Sequence, residues 1–237
     1  MDTTVVKYDK ATFDLLSELS NINNKVYLQK DGQGNITINS VDTSNSMFYS
    51  FSAPEDKFDF DGSECYLANY KEFYGAMGIF GDAKIEQTGS DLLISENKQK
   101  ITYRLTAAER AENEFEGVDF DPQIEFKLTS TDIKNINDMI NRFVTNDNGS
   151  VQLEINEGEL TLTISSFNHE NTYSEKYDGV KNENSEEVDM KLSTNIFTIL
   201  PFGDYFVEID PVGLVRFSLI GSSASVKIYT GEQVIED

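Results

Sequence analysis

Residues 106–122, TAAERAENEFEGVDFDP, divide this chain into two halves. The stretch holds six carboxylates against one arginine and follows neither a helical nor a strand period. On either side lie segments written to one plan. Before it, residues 11–19 (ATFDLLSEL) read as a helix, followed by the strand-like runs KVYLQKDGQGNITINS and MFYSF. After it, residues 131–144 (TDIKNINDMINRFV) read as a helix, followed by GSVQLEINEGELTLTISSF and NTYSEKY. The pattern then recurs within each half. Residues 70–105 read as helix, Gly81-Asp82 and three strands, and residues 195–229 as helix, Gly203-Asp204 and three strands. The copies are offset by roughly 120 residues, far beyond solenoid periods, so the sequence predicts a duplicated domain. The expected fold is α+β: two similar domains, 1–105 and 122–237, joined by an acidic linker at 106–121. Each is expected to pack two helices on antiparallel sheet.

Composition narrows the function classes. The chain has 237 residues, 38% hydrophobic and 11% aromatic, enough for a buried core in each half. Its formal charge is −23, which opposes ordinary nucleic-acid binding through lysine and arginine. Cys65 is the single cysteine, so no internal disulfide is expected. MDTTVVKYDK lacks a basic and then apolar leader, and no apolar run is long enough to span a bilayer. A cytoplasmic protein without membrane contact is expected.

The local signals are specific. Asp9 is expected to cap a helix with Phe13, Leu16 and Leu19 on its apolar stripe. Asn69 and Glu72 form a weak capping box before a second helix through Phe80, which Gly75 and Gly78 weaken unless they allow close packing on a sheet. Ser130 or Thr131 is expected to cap the third. There Ile133, Ile136, Ile140 and Phe143 make a narrow apolar face. Lys134, Asn135, Asn137, Asp138, Asn141 and Arg142 lie opposite, with Asp138 and Arg142 spaced for an ion pair. A fourth helix is expected at 194–200, stopped by Pro201, and the segment counted with it from Met190 carries Lys191.

No chemical motif survives inspection. Asp59-Phe60-Asp61-Gly62 would place Lys57 and Ala68 at the ends of a calcium loop, where ligands are required. His169 is the single histidine and has no nucleophile elbow; with Cys65 it cannot build a zinc site. Neither GxxxxGK nor GxGxxG occurs. Carboxylate pairs such as Asp119 and Asp121 arise by chance among 42 acidic residues. No catalysis, metal or cofactor is expected.

The duplicated order is similar to that of the processivity sliding clamps, and the sequence resembles the clamp of T4-like bacteriophages in particular. The resemblance is carried by KEFYGAMGIFGDAKIEQTGSDLLISENKQKITYRL, by NITINSVDTSNSMFYSF, and by TNIFTILPFGDYFVEIDPVGLVRFSLIGSSASVKIYT. It covers nearly the whole chain through order and spacing. The departures are the extra acidity and a long loop at 178–187.

This resemblance implies a closed homotrimeric ring, with helices lining the hole and sheets outside. Such a ring encircles double-stranded DNA, tethers the replicative DNA polymerase and is opened by an ATP-dependent clamp loader. It implies DNA-facing Lys10, Lys71, Lys134, Arg142 and Lys191. The helical segments together sum to −1, leaving −22 elsewhere. It also implies a partner-peptide pocket at Val41, Phe115, Val118, Phe120 and Tyr229. Subunits would join by pairing Ile101, Tyr103 and Leu105 of one copy with the strand holding Tyr173 and Tyr177 of the next. The rival reading is an acidic, non-enzymatic phage module, a structural protein or DNA mimic, supported by the charge alone.

Overall fold

The computed structural model describes residues 3–80, 82–105, 118–144, 149–156, 158–166, 172–182 and 187–232. The chain forms two compact units, Met1–Glu116 with Ser223–Val226, and Gly117–Ser222 with Lys227–Asp237.

Unit 1 runs β1 (Thr4–Tyr8), α1 (Lys10–Leu19), β2 (Val26–Lys30), β3 (Asn35–Val41), β4 (Met47–Pro54), β5 (Phe58–Asp59), β6 (Glu64–Leu67), α2 (Tyr70–Met77), β7 (Lys84–Thr88), β8 (Asp91–Glu96) and β9 (Gln99–Arg104). Unit 2 runs β10 (Ile124–Leu128), α3 (Ser130–Phe143), β11 (Gly149–Asn156), β12 (Glu159–Ser166), β13 (Thr172–Tyr177), β14 (Lys181–Asn182), β15 (Val188–Ser193), α4 (Thr194–Ile199), β16 (Asp204–Asp210), β17 (Leu214–Ile220) and β18 (Ser225–Gly231). In unit 1 the strands lie in the orders β5-β1-β7-β8-β9 and β4-β3-β2-β6. In unit 2 they lie in the orders β14-β10-β16-β17-β18 and β13-β12-β11-β15. Each pair of orders matches term for term, and every strand pairing within a unit is antiparallel. This is the duplicated α+β fold that the repeated pattern predicts.

The helices start alike. Their N-caps are Asp9, Asn69, Thr129 and Ser193, each accepting a backbone N–H of the first turn. Four residues past each cap comes a large apolar side chain, Phe13, Phe73, Ile133 or Phe197, at most 5% exposed. That offset brings the side chain back over the first turn and onto the sheet side. The third cap is Thr129 rather than Ser130 or Thr131. Thr129 has the extended backbone a cap requires, and Asp132 completes a reciprocal capping box.

Several elements depart from the sequence reading, among them β14, a two-residue strand within the loop expected at 178–187 that pairs with β10. Residues 4–8 form β1, an unanticipated strand that pairs with β5 and β7. Residues 188–193 are a strand, not the lead-in to α4. Val188, Met190 and Leu192 are buried on alternate positions, and that period of two seats them on β11. Gly75 and Gly78 do not serve close packing either. A Cβ at Gly75 would meet nothing within 4 Å, and Gly78 is the C-cap of α2. Cys65 is buried, which pushes its thiol up to about 12 and leaves it unreactive.

Candidate nucleic-acid face, subunit edges and linker cluster

In unit 1, α1 opens at Lys10, 80% exposed, with its ammonium 2.9 Å from Asp14. Tyr74 of α2 donates to the same carboxylate at 2.6 Å, so Asp14 joins the two helices. The Tyr74 hydroxyl first, and Lys10 second, hold Asp14 below the usual carboxylate range. Lys71 is exposed on the first turn of α2.

In unit 2, Lys134 and Arg142 are exposed on α3. Asp138, spaced to answer Arg142, lies 3.9 Å from Lys134 instead. An exposed pair of this kind contributes about 1 kcal/mol at most. Asn137 does not face solvent with them. Its amide donates to the Phe197 carbonyl at 2.9 Å, tying α3 to α4, and its Oδ1 is buried without a partner among the described residues. Lys191 is placed on β15 opposite Gln152, so it is not a helix cation.

Charge on the helices is nearly balanced. α1 carries Lys10 against Asp14 and Glu18, α2 carries Lys71 against Glu72, and α3 carries Lys134 and Arg142 against Asp132 and Asp138. α4 carries no charge. In a chain at −23, the acid therefore lies on strands and loops.

The two helix starts differ. Lys7 and Lys84 join Lys10 around an open groove of about 640 Å³ that also includes Tyr8 and Asp82. The sequence reading missed these two cations because it did not anticipate β1, which places Lys7 next to the start of α1. Lys10 and Lys84 are ion-paired, with Asp14 and Glu86, and the cation at the matching place in unit 2 is paired as well. Lys127 lies 2.9 Å from Asp204, whose other oxygen accepts the Ser130 N–H at 2.8 Å. The Ser130 hydrogen bond and Lys127 hold Asp204 below the usual carboxylate range.

β9 and β13 are edge strands of their sheets. On β9, Ile101 and Tyr103 are half-buried, and the Tyr103 ring packs 5.3 Å from Phe73. Leu105 lies one residue past β9 and is buried, with its N–H on the Ser90 carbonyl, so it is a core residue rather than part of the open edge. On β13, Tyr173 and Tyr177 flank Glu175 on one face and both donate to its Oε2, at 3.1 and 3.2 Å. Burial first, then the Glu175 charge, raises the Tyr177 phenol above its ordinary value.

Among the expected pocket residues, Phe115 lies outside the described residues. Val118 is half-exposed. Phe120 sits over the Arg216 guanidinium, 4.5 Å from the ring centroid, and edge-on to Tyr229 at 5.8 Å. Beneath it Arg216 makes a two-pronged ion pair with Glu208 across β16 and β17, at 2.7 and 2.5 Å. Those side chains are only 19% and 15% exposed. The chain leading into β10 is pinned to the same unit by Asp121 N–H on Asp210 and Gln123 N–H on Ile209. Phe120 is thus a packed anchor lidding an ion pair, a contact invisible in the sequence because Arg216 lies so far along the chain. Val41 belongs to unit 1. It ends β3, and its carbonyl accepts the Asn23 amide at 2.8 Å. The neighbouring Asp42 is buried and accepts the backbone N–H groups of Ser46 and Met47, at 2.7 and 3.0 Å, together with the Ser44 and Ser46 hydroxyls.

No helix among the described residues is long and apolar enough to cross a membrane. No protein-family model and no curated protein matches this chain. Solved structures do. Proliferating cellular nuclear antigen (PCNA) from Entamoeba histolytica superposes with a TM-score of 0.74 at 16% identity, over 97% of this chain and 98% of that one. A. fulgidus PCNA, solved with the C-terminal region of FEN-1, superposes with a TM-score of 0.76 at 11% identity, over all of both chains. PCNA from Thermococcus kodakaraensis gives 0.74 at 10% identity, over 98% and 100%. The chain therefore has, from end to end, the fold of the PCNA sliding clamps.

Proposed function

We propose that this chain is a sliding clamp of the T4-like phage type. Three copies close into a ring around duplex DNA and tether the replicative polymerase, and an ATP-dependent loader opens the ring. What carries the reading is one observation: both units repeat the same strand order, and each presents a pair of helices close to neutrality in a chain at −23. A ring holds DNA by topology, so its wall needs only weak attraction to phosphate. The acid elsewhere keeps DNA off the remaining surface. The proposed DNA-facing residues are Lys10, Lys71, Lys134 and Arg142.

Copies join by pairing β9 of one with β13 of the next, which satisfies the open backbone groups of both edges. Proline at Tyr103 or Tyr173 removes a donor from such a ladder and is expected to dissociate the ring. The A. fulgidus clamp was solved with the C-terminal region of FEN-1 bound. By analogy, Val118, Phe120 and Tyr229, together with Val41, are proposed to serve polymerase-peptide binding. Phe120→Ala and Val41→Ala are each expected to weaken that binding in calorimetry and to leave the ring assembled.

Native mass spectrometry and polymerase extension with the cognate loader test the whole. A trimer that is retained on closed circular DNA, lost on linearisation and stimulatory to the polymerase supports the clamp. A monomer that instead binds basic proteins returns the chain to the acidic-module reading.

A further inference from the structure

Three Asp–Gly pairs stand in the chain, Asp31-Gly32, Asp61-Gly62 and Asp178-Gly179. All six residues are exposed, and the glycines have φ of 70°, 89° and 81°. An aspartate before glycine is chemically labile, because no Cβ shields the next backbone nitrogen from the side-chain carboxyl. By sequence the three pairs are alike, and the fold makes them different.

Asp31 is held by its side chain. Its Oδ1 accepts the N–H groups of Gln33 and Asn35, at 2.7 and 3.0 Å, and its Oδ2 accepts the Asn35 amide at 2.9 Å. The Asn35 amide first, then the two N–H groups, hold this carboxyl below its usual range. Asp61 is held by its backbone. Its N–H donates to Gln87 Oε1 at 2.8 Å, its carbonyl accepts Gln87 Nε2 at 3.4 Å, and Gln87 is buried. Asp178 has neither restraint. Among the described residues its side chain makes no hydrogen bond or ion pair, and its backbone and that of Gly179 make no loop hydrogen bond. The pair lies in the short connection from β13 to β14, which belong to different sheets.

We propose that Asp178 is a site of spontaneous isomerisation to isoaspartate, and that the fold protects Asp31 and Asp61 from the same reaction. The Gly179 nitrogen bonds to Asp178 Cγ, the bond from Cγ to its hydroxyl breaks, and the hydroxyl leaves with the amide proton as water. A second water then opens the succinimide ring. Where it breaks the bond between the nitrogen and the Asp178 main-chain carbonyl carbon, the chain continues through the side chain and is one carbon longer. One water leaves and one enters, so no co-reactant is needed. Ring closure starts from the protonated carboxyl in a near-attack geometry, which a free side chain reaches and a clamped one does not. The lengthened chain falls just before β14, whose two residues pair with Ile124 and Glu125 of β10, so isomerisation loosens β14.

The test ages the full chain in warm, neutral heavy-oxygen water and then digests it with trypsin in ordinary water. Each ring opening leaves one heavy oxygen at the aspartate, which mass spectrometry reads peptide by peptide. Asp178 is expected to take up label at least about tenfold faster than Asp31, the factor set by breaking one charge-assisted hydrogen bond, with Asp61 between them. In denaturant the three rates should converge, because the fold alone separates them. Asp178→Glu, whose ring would be six-membered, should match the parent by circular dichroism and lose the label at that position. Equal labelling of Asp31 and Asp178 in the folded chain overturns the proposal, and so does an unlabelled Asp178. Amide exchange reads the consequence: the aged chain should exchange faster at Lys181 and Asn182 while α1 stays as protected as before. Labelled chains with unchanged exchange at those two residues overturn the loosening of β14.

Discussion

The two units share a topology and differ in what fills it. In unit 1 the centre is aromatic. Phe13 stacks on Tyr8 at 4.9 Å and meets Phe58 at 4.9 Å, Phe73 at 5.8 Å and Tyr70 at 6.4 Å. The Tyr70 hydroxyl, buried, donates to the Phe13 carbonyl at 3.1 Å. At the position of Phe13, four past the cap, unit 2 has Ile133, and the stripe continues as Ile136 and Ile140 on a helix of 14 residues rather than 10. There the two helices are joined by one amide, Asn137 to Phe197. A short helix filled by rings and a longer one filled by isoleucines thus support the same strand order. The topology depends on which positions are apolar and on their period, not on which apolar residue stands there.

This contrast can be broken at its centre. Phe13→Ala removes the hub of unit 1 and is expected to cost about 3–5 kcal/mol. Amide exchange should rise first in α1, α2 and β5. Loss of protection in α3 and α4 to the same degree would show that the units do not keep separate cores.

Next in size is Glu208→Gln, which strands the Arg216 charge beneath Phe120. Unit 1 has more exposed ion pairs on its strands, such as Lys84 with Glu86 along β7, 55% and 26% exposed. Unpairing a largely buried cation costs about 3 kcal/mol, so the variant should melt well below the parent. Arg216→Met in the same background should recover part of the loss. A neutral outcome for Glu208→Gln alone would reduce the ion pair to decoration.

Asp42 gives a smaller effect with a pH signature. Burial pushes its carboxyl up, but the Ser44 hydroxyl, the Met47 N–H and both Ser46 donors outweigh it and hold the group below its ordinary value. A depressed folded value means the contribution is complete above the unfolded value, about 4, and is lost as pH falls through and below it. Asp42→Asn should cost about 2 kcal/mol at neutral pH, from the lost charged acceptor. It should also flatten the fall of stability below about pH 4. A parent-like acid limb in the variant would remove Asp42 from the acid response of unit 1.

The smallest change is a gain. Gly75 lies inside α2, where a methyl meets nothing within 4 Å, so Gly75→Ala should add about 0.5–1 kcal/mol. Destabilisation would mean that α2 rests against something at that face.

What was legible in the sequence was periodic or adjacent. Stripes at three and four residues gave the helices, alternation gave most strands, and Asp9 and Asn69 announced caps because a cap bonds to its own first turn. Repeating those patterns at a constant offset was enough to specify the duplicated fold, since each copy must bury the same faces. The tertiary structure alone decided the rest. It placed Lys191 on a strand, because burial on alternate residues outweighs nearness to a helix. It paired Lys127 with Asp204, and it gathered Lys7, Lys10 and Lys84 around an open groove. It put Phe120 on Arg216, and it showed that β9 and β13 are edges. Each of these is a contact between residues far apart in the chain. Such contacts carry no period, and only packing brings their charges and open backbone groups together.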